Sequence, residues 1–158
     1  MMVKAVRVML APNNVQQTKM FQYAGAARFA YNWALAKEKD NYEKGGKFIS
    51  DSELRKEFTR LRNSAEYAWL QNVSNNVTKQ AIKDACIAYK NFFKSLQKYP
   101  RFKSKKKSTP KFYQDNIKIQ FSDTHVKFEG FSSSRKANKQ KLNWVRLAEH
   151  GRIPTDAK

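Results

Sequence analysis

A basic stretch, residues 85–114, constrains the fold of this chain more than any other feature of the sequence. It holds nine Lys or Arg residues and not one acidic residue. Pro100 and Pro110 bracket its densest part, Arg101 to Lys107, where proline removes helical hydrogen bonds and adjacent cations repel one another. We therefore expect no helix in this part. Helical periodicity precedes this densest part and strand-like alternation follows it, so the sequence predicts an α+β fold.

The N-terminal segment, residues 2–10, alternates as a half-buried strand does. Its apolar face consists of Met2, Val6, Val8 and Leu10. Asn14 followed by Gln17 has the form of a capping box, which predicts helical structure from there to about Glu43. Gly25 predicts a break into two helices. Three residues share a face of the second helix, where we favour burial over ligand stacking: Phe29, Trp33 and Ala36.

Two further helices are predicted before the densest basic part. Ser50 with Glu53 forms a second capping box for a helix that ends near Arg62, and Ser74 can cap a long helix to about Gln97. Their apolar faces are Leu54, Phe58 and Leu61 in the first, and Val77, Ala81, Ala85, Ala88, Phe92 and Leu96 in the second. Four lysines fall elsewhere on the long helix: Lys79, Lys83, Lys90 and Lys94. The pattern predicts a helical bundle with a basic exterior.

Short strands are predicted after the basic stretch. Residues 117–128 have the pattern of a hairpin that turns at residues 122–124. Its alternating apolar residues are Ile117, Ile119, Val126 and Phe128. A Ser- and Lys-rich loop, residues 132–141, then leads to a last strand, residues 142–147.

The charge of the chain points to a polyanionic partner. The 32 Lys and Arg residues against 13 Asp and Glu give a net charge of +19. An isolated lysine cluster is most often a solvated face or a flexible tail, but here aromatic rings interleave with the cations and offer bases a surface for stacking. The rings are Tyr99, Phe102, Phe112 and Tyr113, and the cations are Arg101, Lys103, Lys105, Lys106, Lys107 and Lys111. We expect nucleic-acid binding, with the alternative that Phe112 and Tyr113 begin a strand and belong to a core.

The sequence offers no persuasive catalytic centre. His125 and His150 lie far apart, no Gly-rich phosphate loop is present, and the carboxylates are scattered. Cys86 stands alone, so neither a disulfide framework nor a cysteine zinc site can form. No apolar run approaches the roughly 20 residues of a membrane-spanning helix. We expect a cytoplasmic protein with no cofactor, metal site, membrane contact or enzymatic activity of its own.

Three segments stand in series along the chain: ARFAYNWALA (27–36), AYKNFFK (88–94) leading to YPRFK (99–103), and KLNWVR (141–146). In this order and at this spacing they resemble the N-terminal half of TnpB, the RNA-guided DNA nuclease family of bacterial insertion sequences related to type V CRISPR effectors. The resemblance covers essentially the whole chain. It implies a split oligonucleotide-binding-like β-barrel, the wedge domain, with a helical recognition domain inserted after the first strand. The implied bounds are 1–11 for that strand, 12–98 for the recognition domain, and 99–158 for a basic connection and the remaining, incomplete wedge strands.

The same resemblance implies partners. In the family these two domains hold a guide RNA and its heteroduplex with target DNA, and they read a short DNA motif beside the target. The nuclease lies downstream, in a RuvC-like domain with three acidic metal ligands and a zinc ribbon of paired Cys-x-x-Cys motifs. This chain stops at Lys158 and has one cysteine, so we expect the cutting half to be missing.

By motif position, the resemblance also assigns binding residues. Contacts to the DNA motif are expected from Asn75, Asn76, Lys79, Tyr113 and Gln114, with Lys83 and Lys111 also counted as nucleic-acid-binding. Contacts to the RNA or heteroduplex backbone are expected from Arg101, Lys103, Lys105, Lys106 and Lys107. Amide side chains can pair with adenine edges and lysine can reach guanine, although Asn75 and Asn76 can equally solvate the first turn of a helix. Two alternatives stay open: a sequence-selective DNA-binding protein that needs no RNA, either repressor-like or a transposase accessory, and a subunit that completes a nuclease with a separate RuvC chain.

Overall fold

The computed structural model describes residues 5–115, 119–131 and 142–153, and its contacts divide the chain into two compact units. Residues 1–20 and 114–158 form one unit, which contains the strands and is called the sheet unit below. Residues 21–113 form the other, which contains most of the helical structure and is called the helical unit.

Helix α1 (Asn14–Glu43) runs without interruption through Gly25, so the predicted break is wrong, while the predicted end at Glu43 is confirmed. Glycine weakens a helix by about 1 kcal/mol relative to alanine, and burial of the neighbouring side chains Tyr23 and Ala24 offsets that cost. A Cβ placed on Gly25 would meet Arg28 Nη2 at 4.0 Å, which is ordinary contact. Packing of the whole helix therefore outweighs the local preference of one glycine.

The capping box of α1 lies one residue earlier than predicted. Asn13 Oδ1 accepts a hydrogen bond from Gln16 N at 2.9 Å, and Gln16 Oε1 accepts one from Asn13 N at 3.0 Å. Asn14 and Gln17 have the same spacing in sequence, but Asn14 is already the first helical residue. The N-cap is therefore Asn13.

Gln16 also joins the start of α1 to residues 142–144 within the sheet unit. Its buried Nε2 donates to Leu142 O at 3.0 Å and to Trp144 O at 2.8 Å. Replacing Gln16 by alanine is expected to lower the free energy of unfolding by about 2 kcal/mol, because buried partners lose their hydrogen bonds. Urea denaturation measures the change, and Gln17→Ala, at an exposed position, is the matched control. Equal effects of the two substitutions would contradict this role of Gln16.

Helices α2 (Asp51–Arg62) and α3 (Asn75–Phe93) complete the helical unit. The predicted cap of α2 is confirmed, since Ser50 Oγ accepts a hydrogen bond from Glu53 N at 3.3 Å, and Ser74 occupies the N-cap position of α3. A short 3₁₀ helix, Ala68–Asn72, lies between α2 and α3.

Helix α3 ends at Phe93 and not near Gln97 as predicted, because the chain turns into a left-handed conformation at Ser95, with φ of 57°. Ser95 N donates to Phe92 O, and Leu96 N donates to Asn91 O, which is the Schellman pattern of helix termination. The predicted position of Leu96 on the apolar face is therefore wrong, and this side chain is 69% exposed.

The core of the helical unit is formed by one face of each helix. Its buried side chains include Tyr23, Ala30, Tyr31, Ala34, Leu35, Leu54, Phe58, Leu70, Val77, Ile82, Ala85, Cys86 and Tyr89. Phe29 and Trp33 are half-buried, and their rings pack against Phe58 at 6.3 and 5.2 Å between centroids. Ala36 is exposed, contrary to the prediction, because the buried stripe of α1 follows Ala34 and Leu35 instead.

Three short antiparallel strands form the sheet in the order β1 (Gln120–Phe121), β2 (His125–Lys127) and β3 (Trp144–Arg146). Phe121 pairs with Val126, and Val126 pairs with Val145. The hairpin and the last strand are thus confirmed within the described residues. The predicted loop 132–141 and residues 116–118 lie outside them.

The predicted first strand is reduced to one pairing among residues 5–10, where Leu10 forms an isolated bridge with Leu147. Hydrogen bonds flank this bridge, from Ala11 N to Arg146 O at 2.8 Å and from Ala148 N to Met9 O at 2.9 Å. Residues 1–4 lie outside the described structure. The described strands form an open antiparallel sheet, and the split barrel stays a prediction.

Candidate nucleic-acid interface

Residues 99–113, called the strap below, pass along α1 without forming a helix or a strand, as expected for the dense basic part. They contact α1 in reverse chain order. Phe102, near the start of the strap, lies beside Lys39, and Phe112, near its end, packs edge-on against Tyr23 with 5.4 Å between ring centroids. The strap therefore runs antiparallel to α1.

Asn32, on α1, fastens the middle of the strap. Its Nδ2 donates to Lys103 O and its Oδ1 accepts from Lys103 N, both at 2.8 Å. The ammonium of Lys103 lies 4.1 Å from the centre of the Tyr31 ring. Burial lowers the pKa of Lys103, the positive charge of Lys111 lowers it further, and Asp84 opposes both effects. The charges of Lys103 and Lys111 thus act on each other, and the amide of Asn32 holds the strap backbone at Lys103.

Aromatic contacts with α3 anchor the start of the strap. Tyr99 Oη and Tyr89 Oη share a hydrogen bond of 2.7 Å, and the Tyr99 ring meets the Phe92 ring edge-on at 4.9 Å. Lys39 lies 4.9 Å from the centre of the Tyr99 ring. Tyr99 is therefore part of the packing of the helical unit.

The four rings proposed for base stacking fall into two groups. Tyr99 and Phe112 pack against helices, whereas Phe102 and Tyr113 are 53% and 52% exposed. Phe112 and Tyr113 do not begin a strand, since the first described strand starts at Gln120. Phe102 and Tyr113 therefore leave more of their rings accessible to a ligand than Tyr99, which is 38% exposed.

The strap carries five exposed cations: Arg101, Lys105, Lys106, Lys107 and Lys111. None of them has a carboxylate oxygen within 4.0 Å among the described residues. The basic side chains that do form ion pairs there are Lys37, Lys44, Arg55 and Arg152. The cations predicted to bind phosphate therefore lie together on one anchored segment, with Lys103 half-buried beneath them.

The residues proposed to read DNA on α3, Asn75, Asn76 and Lys79, lie at its start, and Lys83, proposed to bind nucleic acid, lies one turn further on. Asn75, Lys79 and Lys83 are exposed, and their spacing of four residues places them in one row along the helix. Asn75 Oδ1 accepts a hydrogen bond from Arg62 Nη1 at 3.0 Å. Asn76 is half-buried and lies outside this row.

Gln114 belongs to the sheet unit, whereas Tyr113 belongs to the helical unit. Gln114 Nε2 donates to Glu129 Oε2 at 3.3 Å. Its Oε1 is buried and has no hydrogen-bond partner among the described residues. Gln114 thus makes a side-chain hydrogen bond with Glu129 within the sheet unit.

Sequence reasoning missed the half-buried Asn32 and also Glu38, a polar residue that is 2% exposed. Burial raises the pKa of Glu38 from 4.5 to about 7, although a backbone hydrogen bond from Ile49 and the charge of Lys90 lower it. Glu38 Oε1 has no hydrogen-bond partner among the described residues. A signal was present in the sequence, because Glu38 follows Leu35 by three positions and so falls on the buried stripe of α1.

Glu38 is expected to make stability depend on pH. Its pKa is raised in the folded state, so the neutral form stabilises the fold at low pH, and this contribution is lost as pH rises through about 7. Between about pH 5 and pH 8 the free energy of unfolding should fall by up to about 3 kcal/mol relative to Glu38→Gln, which stays neutral. Urea titrations across that range measure it, and Glu66→Gln, an exposed acid, is the control. Parallel profiles for wild type and Glu38→Gln would contradict the assignment.

The described part of the chain offers little support for a metal site, for thiol chemistry or for a membrane-spanning helix. No three His, Cys, Asp or Glu side chains there are grouped to hold a metal ion. Cys86 is a buried free thiol. None of the described helices is both long and apolar enough to cross a membrane. The expected lack of cofactor and of intrinsic activity stays a prediction.

The fold and the site define a class of protein: a helical unit with an anchored segment whose cations form no ion pair among the described residues, in one chain with a small antiparallel sheet. Residues 1–47 match the family model of the helix-turn-helix domain of OrfB proteins from IS605-type elements. Residues 5–47, the described part of that match, contain one helix, α1, so a helix-turn-helix is not completed within them.

Curated relatives extend the match over most of the chain. It is 29% identical over 143 residues to InsQ of Escherichia coli strain K12, a candidate RNA-guided DNA endonuclease, and the match covers 90% of this chain and 36% of that protein. A candidate RNA-guided DNA endonuclease of Streptomyces pristinaespiralis is 30% identical over 105 residues, which are 66% of this chain and 26% of that protein. The virulence protein VsdF of Salmonella dublin is 27% identical over 113 residues, which are 66% of this chain and 95% of that protein.

The chain thus spans about a third of the length of InsQ and about a quarter of the Streptomyces relative. The similarity to InsQ extends over most of the chain, and the resemblance to the TnpB family carried by its three motifs is confirmed.

Proposed function

We propose that this chain is the nucleic-acid-recognition part of a TnpB-like RNA-guided nuclease, which binds guide RNA and its heteroduplex with target DNA and contacts a short DNA motif beside the target. The observation that carries the proposal is the strap, whose five exposed cations have no carboxylate within 4.0 Å among the described residues. Cations on one segment repel one another, and binding to a polyphosphate relieves that repulsion. Binding also releases the counterions that were condensed on the nucleic acid.

The anchoring of the strap supports binding to a regular backbone. Contacts at Asn32 and Tyr99 hold two points of the strap, so its cations are ordered before a ligand arrives. Ordering in advance reduces the entropy lost on binding. Phe102 and Tyr113 add exposed rings on which unpaired bases can stack.

The row on α3 supports a separate contact with duplex DNA. A helix fits the major groove, where amide side chains recognise adenine and lysine recognises guanine. Asn75, Lys79 and Lys83 present these groups on the exposed side of α3. Asn76, Tyr113 and Gln114 retain the weaker support of motif position alone.

Cleavage is assigned in this proposal to residues outside the chain, in a RuvC-like domain of the same or of a separate polypeptide. A bound complex of this kind would reside in the cytoplasm, with the nucleoid when it holds DNA. The relatives named as endonucleases are about three to four times as long as the matched part.

Titration with RNA tests the proposal. The protein is mixed with the right-end transcript of its element and with an unrelated RNA of equal length at about 150 mM salt. Tighter binding of the right-end transcript is expected, and equal affinities would leave only the nonspecific charge term. Sequence-selective binding of duplex DNA by RNase-treated protein would favour the RNA-independent alternative instead.

A further inference from the structure

A cavity of about 260 Å³ lies in the helical unit where the strap passes α1 and α3. Small apolar side chains form part of its lining: Ala24, Ala27, Val77 and Ala81. Three aromatic residues, Tyr31, Phe112 and Tyr113, also line it. Its volume lies near the lower end of small-molecule sites, at ~300 Å³, which suits one planar ring system.

Two side chains of α3 give the cavity a wall of hydrogen-bond acceptors. Gln80 Nε2 donates to Asp84 Oδ1 at 2.9 Å, and both residues line the cavity. This bond uses one of the two N–H donors of Gln80, and it leaves the carbonyl oxygen of Gln80 and Asp84 Oδ2 as acceptors. Since Asp84 is exposed, the acceptors can be reached from solvent.

Three cations line the same cavity: Arg28, Lys103 and Lys111. No ion pair joins any of them to Asp84 in the described structure. Burial lowers the pKa of Lys103, the like charge of Lys111 lowers it further, and the opposite charge of Asp84 raises it. The cavity therefore combines acceptors, rings and cations, and neither a simple anion nor an apolar molecule satisfies all three.

A nucleotide does satisfy them, because its base donates, its ring stacks and its phosphate is anionic. Guanine is the base whose Watson–Crick edge presents two adjacent N–H donors, N1–H and N2–H, to a carboxylate. Adenine and cytosine place a ring acceptor beside a single amino donor, and uracil places its one N–H between two carbonyls. The acceptor wall at Asp84 therefore selects guanine over the other three bases.

We propose that this cavity receives one extruded guanine nucleotide of a bound RNA, with the base edge on Asp84 and Gln80 and its phosphate near Lys103 and Lys111. The proposal rests on the proposed function in that it requires RNA to reach the strap. It assigns base readout to the face of α3 that meets the strap, whereas Asn75, Lys79 and Lys83 occupy a different row.

Single-stranded RNA 9-mers test the pocket, with four uridines on each side of one variable nucleotide. Fluorescence anisotropy at about 50 mM salt is expected to show about tenfold tighter binding for guanine than for adenine or uracil at the centre. Inosine, which lacks the 2-amino group, should fall between them. Asp84→Asn should remove the preference for guanine while retaining overall affinity, and Glu66→Gln, which removes one exposed charge elsewhere, should keep it.

The outcomes separate the pocket from the proposed function. Equal affinity for all four 9-mers would overturn the pocket and leave backbone binding intact, whereas no binding of any 9-mer would overturn both. A preference for guanine that persists in Asp84→Asn would overturn the assignment of Asp84. Photocrosslinking of a central 6-thioguanosine in wild-type protein gives an independent readout. A crosslink within residues 24–31, 77–84 or 103–113, which contain the lining of the cavity, supports the pocket, and a crosslink elsewhere contradicts it.

Discussion

Replacing Lys105, Lys106 and Lys107 together by glutamine is expected to weaken RNA binding roughly fiftyfold at about 150 mM salt. Each lost phosphate contact removes about 0.7 from the slope of log affinity against log salt for single strands, so the slope should fall by about 2. The three side chains are exposed and make no ion pair in the described structure, so the melting temperature should stay unchanged. Anisotropy titrations at four salt concentrations measure both quantities.

The matched control removes the same charge from another surface. Lys44, Lys47 and Lys56 are exposed lysines, of which the first two lie in the connection between α1 and α2 and the third lies in α2. Replacing all three by glutamine gives a protein with the same net charge as the strap variant. If this control loses as much affinity as the strap variant, binding follows net charge and the strap has no special part in it.

Asn32→Ala is expected to detach the middle of the strap. Both hydrogen bonds to the backbone of Lys103 are lost, which should lower the free energy of unfolding by about 2 kcal/mol. RNA affinity should fall about tenfold, because the cations must then be ordered on binding. The salt slope should stay at its wild-type value, since no charge has been removed.

This combination distinguishes a positioning residue from a charged contact. Urea denaturation gives the stability, and titrations at several salt concentrations give affinity and slope separately. Asn14→Ala, at an exposed position on the same helix, is the control and should change neither. An unchanged affinity in Asn32→Ala would show that the anchored path of the strap is not the form that binds RNA.

Local signals in the sequence were sufficient to predict much of the secondary structure of the helical unit. Ser50 and Glu53 located α2 because a capping box is formed by residues three apart, and the lack of a helix after Pro100 followed from proline and adjacent charge. The predicted N-cap of α1 was one residue too late because Asn13–Gln16 and Asn14–Gln17 have equal spacing in the sequence. Only the geometry of the first turn distinguishes them.

The features that fix the candidate site were not local. Asn32 and Lys103 are 71 residues apart, and no periodic pattern links a helical asparagine to one residue of a basic segment. The predictions of a break at Gly25 and of a helix α3 that continues to Gln97 were wrong. Tertiary packing outweighs the local preference of Gly25, and the left-handed conformation of Ser95 ends α3 early. The acceptor wall at Gln80 and Asp84 likewise depends on which face of α3 the strap covers.

The long sequence separation between Asn32 and Lys103 has a consequence for the order of folding. Helices form from near neighbours within microseconds, whereas docking of the strap must close a loop of about 70 residues. The strap is therefore expected to dock after the helices and to open before they unfold. Its amide at Lys103 should exchange with solvent deuterium faster than those of α3, and bound RNA should slow that exchange selectively.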